Sequence, residues 1–244
     1  MFICGRFLTL LMTSSEKTNQ AVIVTHSLLI GLTPLIPVPF VDDLAKSYFQ
    51  QRLVRQLAEA QGQTLSAKAV SVLGKDRGGC LSGCLGTIFL YPIKKIFRKI
   101  FFILEWQRAI NLVTHSYYHG YLLDIALREG WLLTDDINTA ERVRTAIDRS
   151  REKANTRLLR DVVVRTFRKS RGLIKEAAQR LAAGVKGKKA TDENVEKVLE
   201  QEEPQTEALM QGVASELQKG IADLPADHFE GLAERLRAEY SKLS

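Results

Sequence analysis

The stretch 31–62, GLTPLIPVPFVDDLAKSYFQQRLVRQLAEAQG, holds the end of one helix, a turn and the start of the next. Pro34, Pro37 and Pro39 lack a backbone N–H and fix φ, so a helix arriving from near Gln20 has to stop at them. Asp42 and Asp43 then stand where first-turn carboxylates favour a helix dipole. Phe49, Leu53 and Leu57 recur at intervals of four, which places them on one helical face, and Gly62 is the expected stop. A helical hairpin around a PxP turn is the first element of an all-α bundle.

Upstream, Thr18–Val41 carries no Asp, Glu, Lys or Arg, which raises the question of a membrane span. The prolines answer it: about 13 helical residues reach only about 20 Å, against a hydrocarbon core of about 30 Å. The start, MFICGRFLTLLMTSSEKTNQ, has a short apolar run with Arg6 as its one early cation, a poor secretory signal. Residues 1–17 read as a leader. Met12 offers a second start beside Met1, and residues 1–11 then read as a gene-start artefact.

Downstream, Ser66 suits the cap of a short helix carrying Val70 and Leu73 and ending at Gly74. Gly78–Tyr91 is uncharged and rich in small residues four apart, and reads as either a re-entrant or interfacial element or a buried core helix. Cys4, Cys80 and Cys84 are too few for a disulfide framework, so a reducing compartment is expected. Cys80 and Cys84, one turn apart, read as packing residues or as an acylation site beside a membrane.

The strongest amphipathic signal follows. At 100° per residue, Ile93, Ile96, Phe97, Ile100, Phe101, Ile103 and Leu104 fall within an arc of roughly 160°. Lys94, Lys95, Arg98 and Lys99 occupy the other side, only Phe102 is misplaced, and Trp106 lies just beyond. Such a helix is suited to the acyl–headgroup boundary over anionic lipid, and the plainer alternative is a core helix with a basic exposed face. The helix should run on to Gly130, with Gly120 as a weak point. On it His115 and His119 lie four apart, near Asp124. Two imidazoles at that spacing suit one metal ion, but HSYYH lacks the glutamate of HExxH, so these histidines with Tyr117, Tyr118 and Tyr121 read as interface side chains. No metal, cofactor or catalytic set is expected.

Net charge is unevenly spread. Residues 1–130 carry 14 basic and 8 acidic side chains, 131–190 carry 16 and 7, and 191–244 carry 5 and 13. A basic helical segment therefore precedes an acidic helical tail, and the two can pair. Thr134 or Asp135 is the expected cap after Gly130, and the apolar period from Ala140 to Ala183 predicts one helix or two in line. The Arg-rich part, 141–180, is the place for nucleic-acid binding, although no known binding module is present. In the tail, Thr191, Pro204 and the Asp227–Glu230 pair mark three helix starts. GVKGKKA lacks the GxxxxGK[ST] spacing, so nucleotide hydrolysis is not expected.

Gly31, the P-x-P of Pro37 and Pro39, Asp42 or Asp43, Gln50 or Gln51, and Gly62 form a pattern over a domain at 18–130. In this the chain resembles the uncharacterised helical domain found beside, or fused to, bacterial Era-like and dynamin-like GTPases. The resemblance implies a membrane-associated protein without an assigned reaction and with a GTPase as partner. The chain departs from the pattern in having no GTPase domain and in adding the segments 131–190 and 191–244. The expected function is that of a non-catalytic protein on the cytoplasmic face of an anionic membrane, peripheral or partly inserted. The alternatives are a nucleic-acid binder using 141–180 and a metal-dependent enzyme using His115 and His119.

Overall fold

The structure is a computed structural model and describes residues 3–38, 41–75, 98–185 and 191–243. Among the described residues the chain forms nine α-helices, one 3-10 turn and no strand. The all-α class read from the sequence is therefore the observed one.

Helix α1, Ile3–Leu32, begins well before Gln20 and stops at a 3-10 turn, Thr33–Leu35, where Pro34 is buried and the Thr33 hydroxyl donates to the Ile30 carbonyl at 2.9 Å. Helix α2, Val41–Ala60, follows and ends at Gly62, whose φ of +69° is the left-handed conformation glycine adopts at low cost. Helix α3, Ala67–Gly74, is capped by Ser66, which accepts from the Ala69 N–H at 3.3 Å. Helix α4, Arg98–Arg128, runs unbroken through Gly120 to a stop at Gly130, φ +74°.

The basic segment is three helices, not one or two: α5, Ile137–Glu152; α6, Arg157–Lys169; and α7, Arg171–Val185. The cap of α5 is Asp136, one residue later than expected, accepting from the Thr139 N–H at 2.9 Å. The tail is two helices, not three: α8, Asp192–Ala222, and α9, Ala226–Ser241. Pro204 lies inside α8 and opens no new helix there. Its missing N–H leaves the Glu200 carbonyl without its intrahelical donor, while the Thr206 hydroxyl donates to the Glu202 carbonyl at 2.8 Å.

Helix α1 is the hub, packed by α4, α2 and α8. Gly31 lets α4 come close: a Cβ there would overlap Val113 Cγ2 and stand 3.2 Å from the Ala109 carbonyl oxygen. Gly120 plays the same part from the α4 side, its would-be Cβ 3.0 Å from Ile23 Cγ2. We therefore expect Gly31→Ala to cost about 1–3 kcal/mol in thermal or urea unfolding, with Val113→Ala recovering part of it in the double variant. An unchanged midpoint would show that the crossing can relax.

The tail is a wall of the core. Leu199, Val213, Leu217 and Ile221 of α8 and Leu236 of α9 are buried in the same apolar cluster as Val24 and Leu28 of α1. Helix α8 lies on α1, α2, α6 and α7, and α9 covers α5 and part of α4. The basic and acidic segments do pair: Lys169 with Glu216 at 2.7 Å, Arg180 with Glu202 at 2.9 Å, and Lys153 with Glu239 at 2.7 Å. Each of these pairs has a solvent-exposed cation and adds little, so apolar burial holds the tail and charge sets its position.

Glu239 is the most enclosed of these carboxylates, at 4% exposure. Hydrogen bonds from Lys153 and Lys242 hold its carboxyl below the ordinary glutamate value. A depressed pKa gives stability that is present above the unfolded value, about 4.3, and lost as pH falls through the folded one. Docking of α9 should therefore loosen below about pH 4. Trp131, stacked on Tyr240 of α9 at 3.9 Å and 5°, reports it by fluorescence. In Glu239→Gln the acid-induced change should shrink; an identical titration would remove Glu239 as its cause.

Candidate functional site

The expected membrane helix overlaps the described residues only in part. Ile93, Lys94, Lys95, Ile96 and Phe97 lie outside them, as do Gly78–Tyr91 and Pro39, while Arg98, Lys99, Ile100 and Phe101 open α4. Beyond them Ile103 and Leu104 are 59% and 58% exposed. Trp106 instead turns inward, edge-on to Phe167 of α6 at 5.4 Å, with the Arg171 guanidinium 5.8 Å above its ring. Arg160 reaches Gln107 at 3.1 Å, so basic helix α6 flanks the start of α4, with Arg171 at the head of α7 beside it. Arg165, Arg168 and Lys175 on those helices are exposed and make no ion pair among the described residues.

Of the 31–62 pattern, Gly31, Asp42, Asp43, Gln51 and Gly62 make packing or pairing contacts or end a helix. Gly31 admits α4 and Gly62 ends α2, while Asp42 and Asp43 meet Arg108 of α4 at 3.3 and 3.9 Å. Gln51 donates to Ser47 Oγ at 3.1 Å, and its backbone lies against Gly74. Pro37 is exposed.

His115 and His119 both line a cavity of about 390 Å³, with Gln50, Arg144 and Asp148. Asp124 is not with them. It accepts from Asn19 Nδ2 at 2.7 Å and Gln61 Nε2 at 3.3 Å and pairs with Arg128 at 3.1 Å, which fixes α1 and α2 to α4. The His115–His119–Asp124 set of the enzyme reading is thus divided between two sites. In the cavity wall, Arg144 is 2% exposed and donates to Asp148 at 2.9 Å and to the Leu73 carbonyl at 2.6 Å, closing the C-terminus of α3.

A second polar group, which the sequence reading did not single out, sits where α1, α2 and α8 meet. His26 and Glu203 are buried, and Glu207 is half-buried one turn further along α8. Tyr48 donates to Glu203 Oε2 at 2.9 Å, Arg52 Nε stands 3.6 Å from the same oxygen, and His26 Nε2 is 3.5 Å from Oε1. Burial alone would push the Glu203 carboxyl up, but Tyr48 and Arg52, joined by His26 when its Nε2 carries a hydrogen, outweigh it and hold it below its ordinary value. At Glu207 burial outweighs the pull of His26 and Arg52 and raises it; burial and then Glu203 raise the Tyr48 phenol. The signals for this group were an isolated histidine in an apolar helix and the four-residue spacing within EEPQTE.

Comparison with protein families, curated proteins and solved structures finds no match for the chain. The chemistry of the sites themselves therefore carries the functional reading.

Proposed function

We propose that this chain is a non-catalytic helical protein that binds the cytoplasmic face of an anionic membrane, peripherally or partly inserted. There it meets a protein partner, a GTPase being the class implied by the resemblance over 18–130. The supporting observation is the adjacent pair Ile103–Leu104, left uncovered at the start of α4 in direct continuation of the basic and apolar run from Ile93. Flanking cations on α6 and α7 suit an anionic surface. No described helix is long and apolar enough to cross a membrane, so an in-plane helix is the form of contact this reading requires.

The nucleic-acid alternative loses ground for a specific reason: Arg144, Arg149, Lys153, Lys169 and Arg180 of the Arg-rich segment are engaged with Asp148, Glu239, Glu216 and Glu202. Flotation with phosphatidylserine vesicles tests the choice. Ile103→Asp with Leu104→Asp should weaken partitioning by about 2–3 kcal/mol, or on the order of fiftyfold, through lost apolar burial. Retention on RNA or DNA with none on these vesicles would replace the membrane reading. The absence of any GTPase among proteins that copurify with salt-washed native membranes would remove the partner.

A further inference from the structure

The polar group between α1, α2 and α8 has a vacancy in its hydrogen bonding that points to a ligand. His26 Nδ1 faces the Val22 carbonyl at 3.1 Å, and a carbonyl only accepts, so that nitrogen carries the hydrogen. In the neutral ring Nε2 is then a lone pair. It is aimed at Glu203 Oε1, a second acceptor, 3.5 Å away. His26 is 1% exposed, and both facing atoms are buried without a hydrogen-bond donor among the described residues. Two acceptors turned toward each other in a dry site require a positive centre between them.

From this arrangement we propose that His26, Glu203 and Glu207 bind a divalent first-row transition-metal ion, which joins α1 to α8. One donor atom from each of the three lies within 4.8 Å of the others, and bonds of about 2.0–2.2 Å to zinc require only a modest inward swing of the half-buried Glu207. Glu203 is already oriented for the task. Tyr48 and Arg52 occupy Oε2, which leaves Oε1 for the ion, while the Val22 carbonyl fixes the histidine tautomer, as outer partners of metal ligands do. One imidazole and two carboxylates suit zinc, cobalt or manganese, and not the soft Cu(I). This site is independent of the membrane reading.

The rival occupant is a proton on Nε2, and the experiment has to separate the two. Full-length protein stripped with chelator should take up one equivalent of Zn²⁺ or Co²⁺ by equilibrium dialysis, and its unfolding temperature should rise with metal concentration. The cobalt form should show ligand-field bands without thiolate charge transfer, which excludes Cys4, Cys80 and Cys84 as the ligands. Glu207→Gln keeps the size of a half-buried side chain and should still fold, with affinity weakened on the order of a hundredfold. His26→Gln should abolish uptake; if it fails to fold, the glutamine variant at 207 and the cobalt spectrum decide. No retained metal, unchanged affinity in Glu207→Gln, or a thiolate band would each overturn the proposal. The first of these would leave a proton as the occupant.

Discussion

Reversing Lys94, Lys95, Arg98 and Lys99 to glutamate is expected to end flotation with phosphatidylserine-containing vesicles. Each basic side chain near such a surface contributes about 1 kcal/mol, so four contribute about 4 kcal/mol, on the order of a thousandfold in partitioning. The fold should survive the change, because the described core contacts of α4 begin at Trp106 and Ala109, beyond the four cations. Helical circular dichroism should accordingly stay close to that of the parent. Raising ionic strength should mimic the substitution in the parent protein while leaving the share due to Ile103 and Leu104. Two outcomes count against the reading. If parent and variant both remain unbound at physiological salt, the basic face is merely solvated. If both float equally, apolar burial dominates over the cations, through Ile103 and Leu104 or through an apolar segment outside the described core, since Val24, Leu28 and Leu29 of the uncharged stretch 18–41 are fully buried.

Arg144→Met should cost about 3 kcal/mol in equilibrium unfolding, more than any surface substitution. Methionine fills a similar volume but donates nothing. The Leu73 carbonyl at the end of α3 then loses its 2.6 Å donor, and Asp148 its 2.9 Å partner, inside a site where Arg144 itself is 2% exposed. A buried acceptor left unsatisfied costs about 1–3 kcal/mol and a stranded partner charge adds to it, although Arg151 at 3.9 Å relieves Asp148 in part. Arg144→Lys should recover only a fraction, because one ammonium cannot span both acceptors as the planar guanidinium does. A loss below about 1 kcal/mol in the methionine variant would mean that the carbonyl finds water through the neighbouring cavity.

Helix identity was legible where period and punctuation agreed. Phe49, Leu53 and Leu57 bury together, Ser66 caps α3, and Gly62 and Gly130 end their helices at positive φ. Pro204 misled because proline is welcome at a first helical position and costs about 3 kcal/mol inside a helix. Here Leu199 and Met210 bury on either side of it, and that shared core contact outweighs the lost hydrogen bond. The break between α5 and α6 was hidden for the opposite reason: Lys153–Thr156 contains neither glycine nor proline. Site geometry was the least legible. Asp124 is drawn from the histidines by Asn19, 105 residues away, and Glu203 meets Tyr48 across 155 residues. No local spacing encodes such meetings.

The packing of α8 on α1 also has a temporal side. Helix α1 finishes its burial only against α8, which is translated much later, whereas α2 and α4 reach it in between. At about 5–20 residues per second, the apolar face around Val24 and Leu28 waits on the order of ten seconds or more for Leu199 and its neighbours to be made. Local helices form in microseconds, so chain synthesis and this long-range closure, not helix formation, set the pace at which the newborn protein becomes protected. For that interval α1 is the segment that chaperones are expected to hold.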